Sequence, residues 1–494
     1  MKRKNIAIQL FLTGALALTT ISGCKKDFYD INEPNPNFPT SVTIKELLPS
    51  AEAAIALVMG NNLQINGGLW AQFWTQTTAA SQYKTMEQYN PGPQDYDRPW
   101  KSLYADALQD LKVIIQKAGE DNAPNYIAIA KILQAYTYQV LTDNWGDVPY
   151  SQAVQADEGI LSPVYDPQSV VYDGIISLAK EGIATIDESE TAVVPGVDDM
   201  LLHGDMAVWR KFANTLLLRA YLRLAYVDPT RAQAGITELN TSGAQYLGAG
   251  EEVRIDYLSE GGRTHPLYSS IVALGFTQNL VASKTSYDYL AANNDPRLDV
   301  LYVPSDFGTG GLLQGAYDLP VGTPYSYPGP ITGANGTEEY GAESAVAPVK
   351  LMTGYESLFL QAEARLRTWM PGNPAEAYDA AITESFASYA IEADTVAFYL
   401  AQPQIAYPTG GSFDDQLKAI ITEKWVALNG NGGDEAWTEW RRTGYPDFFT
   451  VSVNSLYGGS IFPQRFLYPT DEEASNGSFP GQRQIYDKVW WDVN

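Results

Sequence analysis

MAVWRKFANTLLLRAYLRLAYV, Met206 to Val227, is the stretch from which the rest of the chain can be read. Trp209, Ala213, Leu216, Ala220, Leu224 and Val227 recur at three- and four-residue steps and line one face, while Arg219 and Arg223 fall on another. That spacing belongs to a helix, since a strand would alternate its apolar residues. The same rhythm appears to either side. It predicts helices from Thr43 to about Gly60, over Trp100 to Ala118, from Pro124 to Leu141, over Leu351 to Trp369, over Pro374 to Tyr389 and over Phe413 to Leu428. Several come as consecutive pairs, the pattern of helical-repeat scaffolds, although no 34-residue period can be read off. The fold class is therefore mainly α.

The intervals between helices are long. Pro304 to Pro348 is rich in glycine, proline and tyrosine, and Tyr445 to Asn494 is similarly irregular. Structureless connections beyond about 12–15 residues are usually functional or disordered. Their aromatic content argues against disorder. They are expected to pack over the helices and build a surface, with strands few and short.

With 32 basic and 58 acidic residues among 494, the formal charge is −26, which argues against nucleic acid as a partner. The single cysteine, Cys24, follows a basic start (Lys2, Arg3, Lys4), an apolar run from Ile6 to Ile21, and Ser22-Gly23. The bland alternative is a secretory leader with a chance cysteine. The spacing instead predicts a lipoprotein signal over 1–23 with Cys24 as the acylated residue, because the run is too short to span a bilayer. The protein would then be anchored to a membrane rather than crossing it. Residues 24–42, holding Pro34, Pro36 and Pro39, read as an extended tether, and 43–494 as one domain. Zinc fingers and cysteine nucleophiles are excluded from that domain.

CKKDFYDINEPNPNFPTS (Cys24 to Ser41) followed by IKELLPSA, LTDNWGDVPYSQAV (Leu141 to Val154), WRKFANTLLLRAYLRLA (Trp209 to Ala225), NNDPRLDVLY (Asn293 to Tyr302), EKWVALNGNGGDEAWTEWRRTGYPDF (Glu423 to Phe448) and FPQRFLYPTDEEASNG (Phe462 to Gly477) occur in this order. Together they resemble the SusD/RagB-like nutrient-binding outer-membrane lipoproteins of Bacteroidetes, specifically the SusD-like type 2 branch. The resemblance implies tetratricopeptide-like helix pairs, a ligand-binding domain over 43–494, and exposure on the outer membrane through lipid on Cys24. It also implies a SusC-like TonB-dependent transporter as partner, a glycan ligand handed to it, and no catalysis. A peptide-binding member of the same family is the nearest alternative, and a helical glycoside hydrolase is the enzymatic one. Trp145, Arg219, Arg297, Trp440 and Arg441 lie in segments shared by members with different ligands, so they are assigned to scaffold.

The chemical motifs are sparse. Asp143, Asn144 and Asp147 offer hard oxygens that could hold calcium, but they lack the spacing of an EF-hand loop, and a helix-ending turn explains them as well. No cofactor is expected, with calcium the one left open. Glu435 and Glu439 stand four apart and could mimic a catalytic pair, yet Arg441 and Arg442 beside them favour an ion-pair network, and Trp437 and Trp440 read as core. Asp306-Phe307-Gly308 spells the kinase triplet without its catalytic loop. His203 and His265, the only histidines, are not spaced for zinc and read as a helix-start residue and a loop residue.

Aromatic and amide abundance remains, with 32 tyrosines and 11 tryptophans. A pyranose presents polarised C–H groups on its faces and hydroxyls at its rim, so flat rings cover the faces and amides bond the rim. Core packing uses the same rings, which makes those in loops the better candidates. GGLWAQFWTQTTAASQYKTMEQYN (Gly67 to Asn90) and YSYPGPITGANG (Tyr325 to Gly336) supply them. The expected ligand-binding residues are Trp74, Tyr83, Tyr89, Tyr325 and Tyr327 as a platform, with Gln76, Asn90 and Asn335 at its rim.

Overall fold

In the computed structural model the Met206–Arg223 helix is capped by Asp205, whose carboxylate accepts from the backbone N–H of Ala207 and Val208, both at 3.1 Å. A side-chain oxygen there satisfies N–H groups that have no partner inside the helix. The helix ends four residues before Val227, because Asp228 caps the next one, Pro229–Thr241, with proline in its first turn. The structure describes residues 42–493 apart from 81, 261, 276–278 and 321. Cys24 and almost all of the predicted tether lie outside that range.

Among the described residues the other helices longer than nine residues are Ile44–Val58, Gln109–Glu120, Pro124–Trp145, Gln168–Thr185, Gly354–Leu366, Pro374–Ser388, Phe413–Leu428 and Gly433–Thr443. Consecutive helices pack on each other: Gln109–Glu120 with Pro124–Trp145, that helix with Gln168–Thr185, and Gly354–Leu366 with Pro374–Ser388. This is a helical-repeat scaffold, as the periodicity predicts. None of the helices among the described residues is long and apolar enough to cross a membrane.

Several other boundaries differ from expectation: the Trp100 to Ala118 segment begins at Asp97 and passes through a π turn, Ser102–Leu108, before Gln109–Glu120, the helix from Pro124 runs on to Trp145, and two more differ for reasons set by distant contacts. The first helix does not stop at Gly60 but passes through a π turn, Met59–Leu63, and continues to Trp70. Gly60 serves close approach instead, since a Cβ there would lie 2.3 Å from a Val349 methyl. Leu351 and Met352 do not open a helix. They belong to a strand, and Thr353 caps the helix that follows by accepting from the N–H of Glu356.

Among the described residues strands are few and short, in four antiparallel pairs. β1 (Trp74–Thr75) pairs with β5 (Val281–Ala282), β2 (Val148–Pro149) with β3 (Tyr165–Asp166), β4 (Glu252–Ile255) with β8 (Val349–Thr353), and β6 (Tyr302–Pro304) with β7 (Ser326–Pro328). The β1–β5 and β6–β7 pairs are bound to the long 304–328 loop: Leu312 N–H donates to Ala282 O, and Ser326 N–H to Gly310 O. A small core of Val281, Val303, Leu312, Tyr325 and Tyr327 lies beneath it, so the loop is packed, as its aromatic content predicts.

Where the central helices meet, charge is buried. Arg223 and Arg442 are fully enclosed, yet each guanidinium touches two or more carboxylates. Arg223 reaches Glu435 at 2.6 Å, Asp143 at 3.3 Å and Glu439, while Arg442 reaches Glu363 at 2.5 Å and Glu439 at 2.6 Å. Lys424 joins Glu435 at 3.0 Å and Arg219 joins Glu356 at 3.2 Å. Isolated ions would be very costly here, and reciprocal pairing is what makes their burial tolerable.

Candidate functional site

Three segments distant in sequence converge on one face. Gln314, buried in the 304–328 loop, donates from its amide to Leu69 O and Trp74 O, both at 3.1 Å, and to Glu87 at 2.9 Å. The C-terminal run is stitched to the same place: Val453 N–H donates to Gln314 O, Asn454 to Gly315 O, Ser452 N–H to the Tyr89 hydroxyl and Leu456 N–H to Gln88 O. Further on, the Gln482 amide donates to Tyr468 O at 2.8 Å and accepts from the Tyr468 N–H at 2.9 Å, folding the last irregular segment back alongside.

These contacts leave a cleft of about 600 Å³ between Asn90–Asp95, Tyr457 and Gln482–Ile485. Its volume lies in the range of small-molecule sites. Tyr457 is half-buried and held edge-to-face against Tyr486, ring centroids 5.2 Å apart, so its orientation is fixed before any ligand arrives. Asn90, Gln94, Arg483 and Gln484 stand exposed around it, and Arg483 forms no ion pair among the described residues. Asp95, by contrast, accepts from the Gly92 N–H. A fixed ring with unengaged amide and guanidinium groups at its rim suits a ligand with an apolar face and a hydroxylated edge.

Beneath this face lies Glu87, completely buried. It accepts from Thr75, Gln314 and the Tyr317 hydroxyl, and no cation pairs with it among the described residues. Burial raises its carboxyl to about 7, despite the hydrogen bonds that favour the anion. Lys84 lies over the Tyr317 ring, 4.8 Å from its centroid.

The residues expected from sequence are dispersed. Tyr89 and Asn90 line the cleft, although Tyr89 is 3% exposed and contributes mainly as its floor. Tyr83 is half-buried against the core. Tyr325 borders a smaller hollow of about 250 Å³ with Phe307, Thr77 and Thr78. The other four are corrections to the expected platform. Trp74 is fully buried with its indole against Gly68, where a Cβ would approach it to 2.5 Å. Gln76 is buried and Tyr327 belongs to the small core under the loop. Asn335 is buried too, its amide donating to Pro328 O and accepting from the Thr337 N–H, so it closes a turn.

Tyr457, Tyr486, Gln94, Arg483 and Gln484 were not foreseen. SLYGGS and GQRQIYDK, in the irregular Tyr445 to Asn494 segment, also carry aromatics in loops, the signal that could have found them. Phe307, read as part of a chance triplet, is a half-exposed wall of the smaller hollow.

The calcium reading of Asp143, Asn144 and Asp147 meets a different arrangement. Asp143 binds Arg223, Tyr172 and Trp491, Asn144 donates to Val140 O and Asp434, and Asp147 accepts from the Gln168 N–H. The helix ends at Trp145 with Gly146 at φ 79°, the helix-ending turn that was the alternative. Glu435 and Glu439 form the ion-pair network expected of them, with one change of partner. Arg441 lies over Trp437, 3.6 Å from its centroid, and donates to Asp143 O and Gln464 O instead. Burial alone would raise both glutamates, but Arg223 and Lys424 hold Glu435 below the usual range and Arg442 and Lys424 hold Glu439 well below it. A glycosidase acid needs the opposite shift. His265 caps the Pro266–Leu274 helix by accepting from the Leu267 N–H, combining both sequence readings of the histidines in one residue.

Comparison with known proteins follows the same lines. No curated protein sequence matches the chain. Solved structures share the fold: a SusD homologue from Bacteroides uniformis (22% identity, TM-score 0.75, covering 91% of this chain and 99% of that one), a Bacteroidetes AC2a SusD-like protein (22%, 0.76, 92% and 100%) and a chitin-binding SusD homologue from Flavobacterium johnsoniae (22%, 0.73, 90% and 99%). Residues 36–469 match the SusD-like 2 family, described as starch-binding and associating with the outer membrane. With that match over most of its length and a scaffold shared with SusD homologues, the chain belongs to the SusD-like family.

Proposed function

We propose that this protein binds oligosaccharides at the outer membrane and passes them to a SusC-like TonB-dependent transporter, held in place by lipid on Cys24. The observation that carries the binding role is the cleft at Tyr457, with its fixed ring and unengaged Asn90, Gln94, Arg483 and Gln484. Of the residues expected from sequence, Tyr89 and Asn90 belong to this site. Family membership supports the sugar class, as do the starch-binding description of the family and the chitin-binding neighbour.

Titration of the full-length protein in mild detergent with maltohexaose and chitohexaose tests the reading. At least one is expected to bind, and Tyr457→Ala is expected to weaken it about tenfold or more while leaving the thermal melt in place. Equal affinity in wild type and variant would remove the site. Capture of extended peptides with no sugar binding would replace the reading with a peptide-binding one. For the partner, membranes solubilised in mild detergent are expected to yield the protein in complex with a TonB-dependent barrel, and a solitary peak would count against the delivery role.

A further inference from the structure

A second cleft lies away from the first and shares no lining residue with it. It measures about 540 Å³ and is enclosed by Tyr289 and Asn293, Tyr378, the 403–411 loop, the outer face of the Phe413–Leu428 helix, and Phe448. Tyr289 and Phe448 stack at 5.1 Å with a 19° angle between their planes, and the Tyr289 hydroxyl is anchored on Glu423 at 3.3 Å. This wall is rigid and aromatic.

Its charge state is equally defined. Every charged side chain that lines the cleft is already engaged: Asp415 accepts from the Ser412 N–H and hydroxyl, Lys418 pairs with Asp447 at 2.7 Å, and Glu423 pairs with Arg297 at 2.7 Å. What remains is neutral and polar. Thr422, only 6% exposed, lines the cleft with a hydroxyl that has no hydrogen-bond partner among the described residues, whereas the amides of Asn293 and Gln404, which also line it, already donate to Tyr289 O at 2.8 Å and to the Gln402 side chain at 2.9 Å. A buried hydroxyl without a partner is costly, so a ligand or water that supplies one is favoured. An ionic ligand would enter without a free counter-charge. A neutral ring with an apolar face and hydroxyl edges meets both the stacked wall and the orphan hydroxyl.

We propose that this cleft is a second carbohydrate subsite, selective for neutral sugar units, acting beside the Tyr457 cleft; the proposal rests on the oligosaccharide reading above. Calorimetric titration of the full-length protein with maltohexaose and chitohexaose is expected to show two sites for the sugar that binds. Ala406→Trp, an exposed position that lines the cleft, is expected to remove one site and leave the other at its original affinity. Thr422→Val, which keeps the volume, should weaken that site about three- to tenfold. Tyr457→Ala should have the complementary effect on the other site. A single site abolished by Tyr457→Ala, or two sites unchanged in Ala406→Trp, overturns the second subsite and leaves the proposed function standing. Binding of neither sugar to either cleft overturns both.

Discussion

Replacing Arg442 with methionine is expected to cost about 3–5 kcal/mol of stability, enough to threaten folding altogether. The guanidinium is fully buried and grips Glu363 at 2.5 Å and Glu439 at 2.6 Å. Methionine fills similar space but leaves two carboxylates short of a partner. Glu363 would retain Arg367 and Glu439 would retain Arg223, yet each would carry more negative charge than its surroundings neutralise. The matched control is Arg263→Met, which breaks an ion pair whose members are 61% and 77% exposed. Water solvates those partners, so its cost should stay below about 1 kcal/mol. Urea denaturation at pH 7 compares the two. Equal midpoints would show that the interior network does not hold the scaffold.

Glu87 gives the second large effect, as a pH dependence. Burial pushes its carboxyl up to about 7 in the folded protein, from its ordinary value of 4.5. Between those values the folded protein keeps a proton that the unfolded chain releases. The contribution of this residue is therefore most favourable below about pH 4.5 and is lost as pH rises through 7, a total of about 3 kcal/mol. Glu87→Gln should remove that dependence. All three side-chain partners of Glu87 carry donors, but the hydroxyls of Thr75 and Tyr317 can also accept from an amide. Relative to wild type, the variant should therefore gain about 2 kcal/mol in stability between pH 5 and pH 8, the rest of the change falling below pH 5. A difference that stays constant across that range would mean the carboxyl is not held protonated. The same series bears on the proposed binding, because Glu87 ties β1, Gln314 and Tyr317 together beneath the face that carries the candidate cleft.

The helices were legible because their signal is local. Phe413 to Leu428 is predicted and observed with the same limits, and Pro374–Ser388 differs from its prediction by one residue. Gly60 and Leu351 misled because their roles are set by contacts far along the chain. Gly60 makes room for Val349, and Leu351 joins a strand whose partner begins at Glu252. Arg219 and Arg223 sit on a face distinct from the apolar stripe, as the pattern says. The pattern does not say that this face is also interior, since that depends on Glu356, Glu435 and Glu439 arriving from two other helices.

The face that carries the candidate cleft shows the division most clearly. Residue type and loop context single out tyrosines near positions 83–90 and amides beside them as candidates, because rings and amides are the groups a sugar would require. They could not separate Tyr89 and Asn90, which reach the cleft, from Trp74 and Tyr327, which do not.

By itself the sequence determined a helical scaffold, its family likeness and the kinds of side chain available for a sugar, all properties of spacing and composition. Only the tertiary structure decided which rings face solvent and which carboxylates find cations. Burial and ion pairing arise from surfaces brought together across the whole chain, as Asn90 and Arg483 are, and no local pattern encodes those meetings.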